Sequence, residues 1–530
     1  MVQLNPTDAY IIGAVRTPVG AFGGALSKLT AVQLGSIALK GALEKSKLPA
    51  EEVEEIYFGN VMSANLGQNP ARQVALGAGC LPNKVAGTTV NKVCASGMKA
   101  VTLAAQSIRL GEVQAAVAVG AESMSNVPYY MPSARFGAKF GAQSVVDGLE
   151  NDGLLDAYSK TAMGYAAEST ADEFGVSRDD QDDFAIASYQ KAIDAAAAGK
   201  FDDEIVAVEV SQGRGKPSLL VKSDEEPAKF NADKLRKLRP AFPSATGSGS
   251  VTAGNASSLS DGAAALVLVS GARLQRLIDA GTIDAEHHKI FRVQASGEAE
   301  QSPERFTTSP APAVKAALSR ATGGESDKDT ASVSDFVDYV ELNEAFSVVG
   351  IANAKLLGFP VDRINVNGGA VGIGHPLGCS GARIIVSLCT VLAQNDARRG
   401  AAAVCNGGGG ASAIVIEHNT LYQAVAPQHL MTKPSSNVIY PLASKNNVAN
   451  GDQLPASVEI HDSSDDDISS DIEFPADIMQ PPEVHSAPRD DSAAHSTLVN
   501  NEVDEDIAFD SELSPDHAID IIVDGLVREF

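Results

Sequence analysis

The chain has 530 residues, of which 44% are hydrophobic, and its formal net charge is −26. This length and apolar content predict two or more packed units with large buried cores. The acidic balance argues against nucleic acid or an anionic membrane surface as a partner. No unbroken run of eighteen apolar residues is present, and the N-terminal residues match neither a secretory nor a transit signal. We therefore expect a cytoplasmic protein without a membrane segment.

Short apolar runs alternate with amphipathic stretches up to residue 418, which is typical of α/β layers with buried sheets. The composition changes between residues 123 and 248, where Tyr, Met, Pro and charged residues become frequent. A strongly periodic helix at 178–199 suggests that this segment is a mainly helical insertion that covers a substrate. A further helix is predicted to follow Cys94 and to end at Gly111. Strands are predicted at 9–15, 115–121, 263–270, 338–343 and 401–407.

Two segments of the chain resemble each other, one starting at Cys94 and the other at His375. Each has a Ser-Gly pair that opens a helix, then a strand of small residues and a turn. This repeat predicts two similar α/β halves, with Cys94 and His375 at comparable helix starts. Chance similarity between two alanine-rich helices is the alternative.

The acidic charge is concentrated at the C-terminal end, where residues 420–530 hold 22 Asp and Glu against four Lys and Arg. This composition predicts a largely disordered tail, with a short helix at 516–527. The segment "SSDDDISSD" (463–471) is open to two interpretations. It is either a site of phosphorylation or of a basic partner, or part of a dispensable solubilising extension.

The cysteines are odd in number and widely spaced, without a Cys-x-x-Cys pair for zinc or a dense disulfide framework, so we expect free thiols. Cys94 precedes a helix, where free N–H groups and the helix dipole favour a thiolate and a lowered pKa. A packed core thiol is the competing interpretation. The five cysteines are Cys80, Cys94, Cys379, Cys389 and Cys405.

His375 lies in the glycine-rich stretch "GGAVGIGHPLGCSGARI" (368–384). Glycines let the backbone turn sharply and bring the ring against a ligand. The apolar flanks suggest a neutral imidazole that accepts a proton from a thiol or hydrogen-bonds a thioester oxygen. A dinucleotide site is excluded because the spacing is not G-x-G-x-x-G.

Two other segments carry candidate chemistry. Cys405 ends a predicted strand and is followed by four glycines, whose N–H groups can bind phosphate or an oxyanion. It is either a general base or a buried strand thiol. Asn343, at a strand-to-helix junction, either caps the helix or fixes a catalytic water.

Four motifs, in this order, resemble those of the thiolase family: "NKVCASG" (91–97), "NEAF" (343–346), "GHPLGCSG" (374–381) and "CNGGGG" (405–410). The agreement extends over about residues 8–418 and is greatest with the fungal cytosolic acetoacetyl-CoA members. The resemblance implies an α/β thiolase-like fold, in which two similar halves form a layered αβαβα core. The implied boundaries are 1–122 with 249–272 for the N-terminal half, 123–248 for an inserted CoA-binding loop domain, 273–418 for the C-terminal half and 419–530 for the acidic tail.

The resemblance also implies a reaction, the reversible condensation of two acetyl-CoA to acetoacetyl-CoA and CoA. Cys94 would carry the acetyl group, His375 would accept the thiol proton, and Cys405 would remove a proton from the second acetyl-CoA. Asn343 would hold a water at the enolate, and the N–H of Gly407 would help to bind the oxyanion. The implied role is the first step of the mevalonate and ergosterol pathway. A β-oxidation 3-ketoacyl-CoA thiolase and a non-catalytic lipid-binding protein on the same fold are the alternatives.

For CoA, the family pattern indicates Tyr189, Lys234 and Ser257, and no covalently bound cofactor is implied. A potassium site would use Tyr189, Ala253 and Val371, partly through backbone oxygens. The resemblance also implies a homotetramer. Met163 and Phe346 would restrict the acyl pocket to short chains, and the loop at 321–333 is predicted to be a surface insertion. The family pattern gives no role for the tail.

Overall fold

A computed structural model describes residues 4–245, 247, 249–324 and 332–418 of the protein. These residues all belong to one compact unit. The predicted disorder of the tail, its short helix at 516–527 and the centre of the predicted insertion at 321–333 lie outside the described residues. The domain boundaries given above stay predictions.

All five strands predicted from the sequence are present, and they are named β1, β5, β10, β12 and β13 in the chain order given next. The described strands are β1 (Ala9–Arg16), β2 (Gly20–Ala21), β3 (Glu55–Gly59), β4 (Ala86–Val90), β5 (Ala115–Ser123), β6 (Tyr129–Tyr130), β7 (Val146–Asp147), β8 (Val208–Val210), β9 (Leu219–Val221), β10 (Ser260–Ser270), β11 (Phe291–Glu300), β12 (Tyr339–Leu342), β13 (Arg399–Asn406) and β14 (Gly410–His418).

Two of the helices confirm predictions made from the sequence: α3 ends at its cap Gly111, and α5 starts after Ser177, whose side chain forms a capping box with Asp180. The described α-helices are α1 (Ala31–Ser46), α2 (Pro70–Gly77), α3 (Ser96–Leu110), α4 (Gly164–Phe174), α5 (Arg178–Ala197), α6 (Ala232–Leu235), α7 (Gly271–Asp279), α8 (Pro310–Ala321), α9 (Val333–Phe336), α10 (Ser347–Leu357), α11 (Ala370–Ile373) and α12 (Leu377–Gln394).

The main sheet consists of two halves with the same pairing pattern. In the first half β3 pairs in parallel with β5, β5 is antiparallel to β10, and β10 is antiparallel to β1. In the second half β12, β13, β14 and β11 repeat this pattern. The register repeats as well, because Glu55 faces Ala116 in the first half and Tyr339 faces Gly400, each 284 residues later, in the second. The repeat seen in the sequence is therefore structural.

The helices form layers on both sides of these sheet halves. Helices α1 and α2 cover the outer face of the first half, and α8 and α10 cover the outer face of the second. Helices α3 and α12 lie between the two halves and share one apolar core with both. This is the predicted αβαβα order. Between β5 and β10 the chain forms α4, α5 and α6 with two small sheets, β6–β7 and β8–β9, so the insertion is helical but also contains short strands.

The two central helices meet at the Ser-Gly pairs of the repeat. A Cβ atom on Gly381 would lie 2.5 Å from the backbone nitrogen of Met98, and one on Gly97 would lie 2.8 Å from that of Ala382. Neither distance is possible for a real side chain, so only glycine allows this approach. Since α3 begins two residues after Cys94 and α12 two residues after His375, the crossing places the two helix starts close together.

Helix α12 has the length and hydropathy of a membrane span, with a mean hydropathy of 1.5 over 18 residues. The sequence search for an unbroken apolar run did not anticipate this. Of that window, 89% is buried inside the protein. A helix in the central layer contacts protein on all sides, so its side chains are apolar around the whole circumference, as in a helix that spans a membrane.

We expect Gly381→Ala to lower the free energy of unfolding by about 1–3 kcal/mol, because the added methyl group would overpack the contact with α3. Urea denaturation measures this change. Gly247→Ala is the matched control, since no heavy atom lies within 4 Å of its Cβ position. Equal stability of the two variants would contradict the close helix crossing.

Candidate active site

Cys94 lies in a strained turn just before α3. Val93 has a φ of +47°, which is rare for a β-branched residue. The Oδ1 atom of Asn91 accepts a hydrogen bond from the N–H of Val93 at 2.9 Å. The hydroxyl of Ser96 donates to the Val93 carbonyl at 2.6 Å and accepts from the N–H of Lys92 at 2.8 Å. These side chains hold the turn and therefore the position of the thiol.

The thiol of Cys94 is partly exposed and hydrogen-bonds to two backbone N–H groups, its own and that of Gly407. Burial nevertheless raises the pKa of Cys94 to about 12, and the negative charge of Glu122 acts in the same direction. The expectation of a lowered pKa is thus wrong for the resting protein. Desolvation of the thiolate outweighs the N–H groups and the start of the helix.

Cys405 is fully buried near the end of β13. Burial, and to a lesser extent the nearby charge of Cys94, raise the pKa of its thiol. The two thiols are therefore close enough to interact electrostatically. The apolar cluster around Cys405 consists of Phe306, Ala345 and Val349, with Met163, Ala166 and Phe346 packed against it.

The glycines after Cys405 form the turn between β13 and β14. Gly408 and Gly409 have φ values of +90° and +96°, which the tight hairpin requires. A Cβ atom on Gly407 would lie 3.4 Å from the terminal methyl carbon of Met163. The run of glycines is thus mainly a turn, and Gly407 is the member that hydrogen-bonds Cys94.

His375 is buried, and the hydrogen bonds of its ring define its tautomer. Nδ1 lies 2.6 Å from the hydroxyl of Ser380, and that hydroxyl donates to the carbonyl of Pro376 at 3.0 Å. Ser380 can therefore only accept from His375, which places the ring proton on Nδ1. Nε2 then carries the lone pair and accepts a hydrogen bond from Nδ2 of Asn343 at 3.4 Å. Burial, with a smaller effect of Arg383, lowers the pKa of His375 to about 3, so the ring is neutral as predicted.

Asn343 continues the pairing of β12, because its N–H donates to the carbonyl of Ala403 at 2.9 Å. Helix α10 starts only at Ser347, with Phe346 at the cap position. The interpretation of Asn343 as a helix cap is therefore wrong. Its Oδ1 atom is buried and has no hydrogen-bond partner within the described part of the chain. This free acceptor beside His375 can bind a water or a substrate group.

The segment 257–258 connects the Asn343 and His375 regions. Ser257 donates from its hydroxyl to the carbonyl of Ala345 at 2.9 Å, and the carbonyl of Ser258 accepts from the N–H of His375 at 3.2 Å. Ser257 is half-buried, so its hydroxyl oxygen can still accept a hydrogen bond.

The other predicted ligand residues lie in a second group. Tyr189 stacks on Phe230, with ring centroids 4.8 Å apart, and packs in one apolar cluster with Val371 and Leu235. Burial raises the pKa of Tyr189 to about 12. Lys234, next to Leu235, is exposed, and so is Ala253, whose neighbour Gly254 lies against the Leu235 side chain.

The structure thus places Gly407 in hydrogen-bonding contact with Cys94, Cys405 within electrostatic range of Cys94, and Asn343 beside His375. Leu377, two residues after His375, packs in the apolar cluster that Cys94 contacts. The sequence analysis did not identify Glu122 or Ser380 as part of this region. A carboxylate at the end of the otherwise apolar strand "AAVAVGAES" was the available signal for Glu122.

The buried neutral ring of His375 predicts a pH dependence of stability. Between about pH 3 and 6.5 the unfolded chain binds a proton at this residue and the folded protein does not, so stability falls on acidification. From about pH 7 to 5, we expect wild type to lose about 1–2 kcal/mol more than His375→Asn. Urea unfolding at both pH values measures this, and identical losses would contradict the buried neutral ring.

Comparison with known proteins gives matches along the described chain. The model of the thiolase N-terminal domain matches residues 9–272, and that of the thiolase C-terminal domain matches residues 288–418. The chain is 55% identical over 411 residues to an acetyl-CoA acetyltransferase of Schizosaccharomyces pombe, which covers 78% of this chain and 99% of the relative. It is 50% identical over 418 residues to a Gibberella zeae protein named acetyl-CoA acetyltransferase ERG10, cytosolic, covering 79% and 100%.

A solved structure is similar as well. The Acat5 thiolase of Ascaris suum, crystallised in complex with coenzyme A, is 42% identical and superposes with a TM-score of 0.70 over 78% of this chain and 100% of its own. The family models, the relatives and the fold thus agree with the four motifs. The chain belongs to the thiolase family.

Proposed function

We propose that the protein is an acetyl-CoA acetyltransferase that condenses two acetyl-CoA to acetoacetyl-CoA and CoA. The observation that carries the proposal is the closeness of the Cys94 and Cys405 segments. The N–H of Gly407, two residues after Cys405, hydrogen-bonds the Cys94 thiol, and the charge of Cys94 acts on Cys405. One thiol can hold an acyl group while the other exchanges a proton beside it. The relatives named acetyl-CoA acetyltransferase support the same reaction.

In the first half-reaction Cys94 attacks the thioester carbonyl of acetyl-CoA. Its proton goes to the lone pair on Nε2 of His375, which then gives up the hydrogen bond from Asn343. The N–H groups of Cys94 and Gly407 are suitably placed to bind the oxyanion. The departing CoA thiolate takes a proton from Cys405, which leaves acetyl-Cys94, a protonated His375 and a Cys405 thiolate.

In the second half-reaction the Cys405 thiolate removes a proton from the methyl group of a second acetyl-CoA. Burial raises the pKa of Cys405, so its thiolate is a strong base. The enolate oxygen is stabilised by the protonated His375 and by a water bound to Asn343. The carbanion attacks acetyl-Cys94, acetoacetyl-CoA is released, and the Cys94 thiolate regains its proton from His375. All three groups then return to their starting states.

Intact-protein mass spectrometry after brief exposure to acetyl-CoA tests the nucleophile. We expect one acetyl group on wild type and on Cys80→Ser, whose buried thiol is remote from the site, and none on Cys94→Ser. Acetylation of Cys94→Ser to the wild-type level would overturn the proposal, and so would a wild-type protein that takes no acetyl group. Unchanged turnover of Cys94→Ser would contradict the role of Cys94 as nucleophile, and a wild type without turnover would support the non-catalytic alternative.

Cys405→Ser separates the two half-reactions. We expect the variant still to accept acetyl on Cys94, but more slowly, because the CoA thiolate then leaves without a proton from Cys405. Because serine is a far weaker acid than cysteine, we expect condensation to fall by about 10²–10⁴-fold. Release of acetoacetyl-CoA, measured together with the acetyl content of the protein, gives both rates. Condensation at the wild-type rate would contradict the assignment of Cys405 as the base.

We infer a preference for short acyl chains from the side chains around the two thiols. Met163 lies over Gly407, and Phe346 packs against the cluster around Cys405. Both reduce the room for an acyl chain beyond acetoacetyl. No observation favours the β-oxidation alternative.

Met163→Ala tests this preference. Removing the side chain enlarges the space at Gly407, and we expect the ratio of kcat/KM for a six-carbon over a four-carbon 3-ketoacyl-CoA in thiolysis to rise about tenfold. Met131→Ala, at an exposed methionine of the insertion, is the control and should keep the wild-type ratio. An unchanged ratio in Met163→Ala would contradict a limiting role of Met163.

The CoA assignments remain part of the proposal. Lys234 is exposed and can contact a phosphate. Tyr189 packs with Val371 of α11, and Ser257 donates to the carbonyl of Ala345. Val371 packs in one cluster with Tyr189 and Leu235, and Gly254, next to Ala253, lies against Leu235, so the three proposed residues are near one another. They would hold a potassium ion through the tyrosine hydroxyl and backbone carbonyl oxygens.

The cellular role is likewise proposed. The relative named cytosolic supports a cytoplasmic location. We infer from the thiolase resemblance that the protein is a homotetramer and supplies acetoacetyl-CoA to the mevalonate pathway and hence to ergosterol. Light scattering on the purified protein would test the assembly.

A further inference from the structure

Glu122 is a fully buried carboxylate at the end of β5, and it accepts four hydrogen bonds. Its Oε1 accepts from Nδ2 of Asn60 at 2.7 Å and from the N–H of Met62 at 3.3 Å. Its Oε2 accepts from the N–H of Val61 at 3.0 Å and of Gly378 at 2.9 Å. A buried carboxylate needs such a set of donors, and Glu122 obtains them from two separate segments.

The bond to Gly378 reaches the first turn of α12, three residues after His375. Pro376, at the cap position, makes no side-chain hydrogen bond, so this turn has no cap of its own. Glu122 supplies the missing acceptor from the other half of the molecule, and its charge is favourable at a helix N-terminus. A Cβ atom on Gly378 would lie 2.8 Å from Oε2 of Glu122, so the contact requires glycine there.

A second carboxylate holds the other side of the same segment. Oε2 of Glu344 accepts from the N–H of Val371 at 3.1 Å and from the hydroxyl of Ser188 at 2.6 Å. Oε1 of Glu344 accepts from Nδ2 of Asn365 at 2.7 Å. His375 therefore lies between two fixed points of the chain. Glu344 holds Val371, four residues before His375, and Glu122 holds Gly378, three residues after it.

Glu122 also lies close to the nucleophile. Its negative charge raises the pKa of the Cys94 thiol, and its partners Val61 and Met62 belong to the apolar cluster that Cys94 contacts. The same side chain thus adjoins the Cys94 region and holds the chain that carries His375.

We infer that Glu122 is a positioning residue: it fixes the first turn of α12 against the 60–62 loop and so sets the place of the His375 imidazole relative to the Cys94 thiol. Glu122 does not touch the reacting atoms. Its length and its two acceptor oxygens both matter, because four donors converge on it from opposite sides. The kinetic test of this inference uses acetylation of Cys94 and therefore rests on the proposed function.

The variants Glu122→Gln and Glu122→Asp test this role together. The amide of Gln presents an NH2 group to two of the four donors, and Asp keeps the charge but lacks the reach. The matched control is Glu54→Gln, since Glu54 accepts the N–H groups of Gln114 and Ala115 at the opposite end of β5. Urea denaturation of all variants shows which of them fold.

We expect acetylation of Cys94 to slow about tenfold or more in both Glu122 variants, at a nearly unchanged half-saturating acetyl-CoA concentration, because misplacement affects the chemical step and not binding. Glu54→Gln should keep the wild-type rate. A folded Glu122→Asp with the wild-type rate would overturn the positioning role and leave only an effect of charge. Equal slowing in Glu54→Gln would show a general loss of stability and would also overturn it.

Alkylation of Cys94 by iodoacetamide, located by peptide mass mapping, gives a readout that does not need acetyl-CoA. We expect the rate at Cys94 to change in Glu122→Asp, which keeps the negative charge near the thiol, and to stay at the wild-type value in Glu54→Gln. If wild type takes no acetyl group, the proposed function fails while this measurement still decides the role of Glu122. A wild-type alkylation rate in a folded Glu122→Asp would overturn the positioning role.

Discussion

The contact between α3 and α12 is the constraint on which the rest of the structure depends. The two helices approach so closely at Gly97 and Gly381 that a single methyl group on either would overlap the other backbone. Each helix follows the same position of a structural repeat, and each carries a reactive residue two positions before its start. The symmetry of the two halves therefore brings Cys94 and His375, 281 residues apart in sequence, to the same end of the central layer.

Burial then determines the protonation of the site. It raises the pKa values of Cys94 and Cys405 and lowers that of His375, so the resting groups are all neutral. A neutral site avoids the free energy of burying isolated charges. Once a substrate accepts a proton or donates an acyl group, the same environment makes a thiolate strongly basic. The N–H groups at Cys94 and the side-chain amide of Asn343 are fixed dipoles that can stabilise the charges formed during reaction.

The sequence predicted much of this arrangement because its signals are local. The predicted strands and helices, the Ser-Gly repeat and the neutral state of His375 follow from short stretches of sequence and were confirmed, although β10 and β13 begin three and two residues earlier than predicted. The pKa of Cys94 was predicted in the wrong direction, because the helix start is visible in the sequence whereas the apolar cover is contributed by distant residues such as Met62 and Leu377. Glu122 was missed for the same reason, since its partners come from a loop 60 residues earlier and a helix 256 residues later.

The central claim is that the thiols of Cys94 and Cys405 and the imidazole of His375 all act on one acyl carbon in a single cavity. A crystal structure of the protein acetylated at Cys94 tests it most directly. We expect the acetyl oxygen to accept hydrogen bonds from the N–H groups of Cys94 and Gly407, with Sγ of Cys405 and Nε2 of His375 facing the acetyl group from the same cavity. Side chains of Cys405 and His375 that point into separate cavities, away from the acetyl group, would contradict the account.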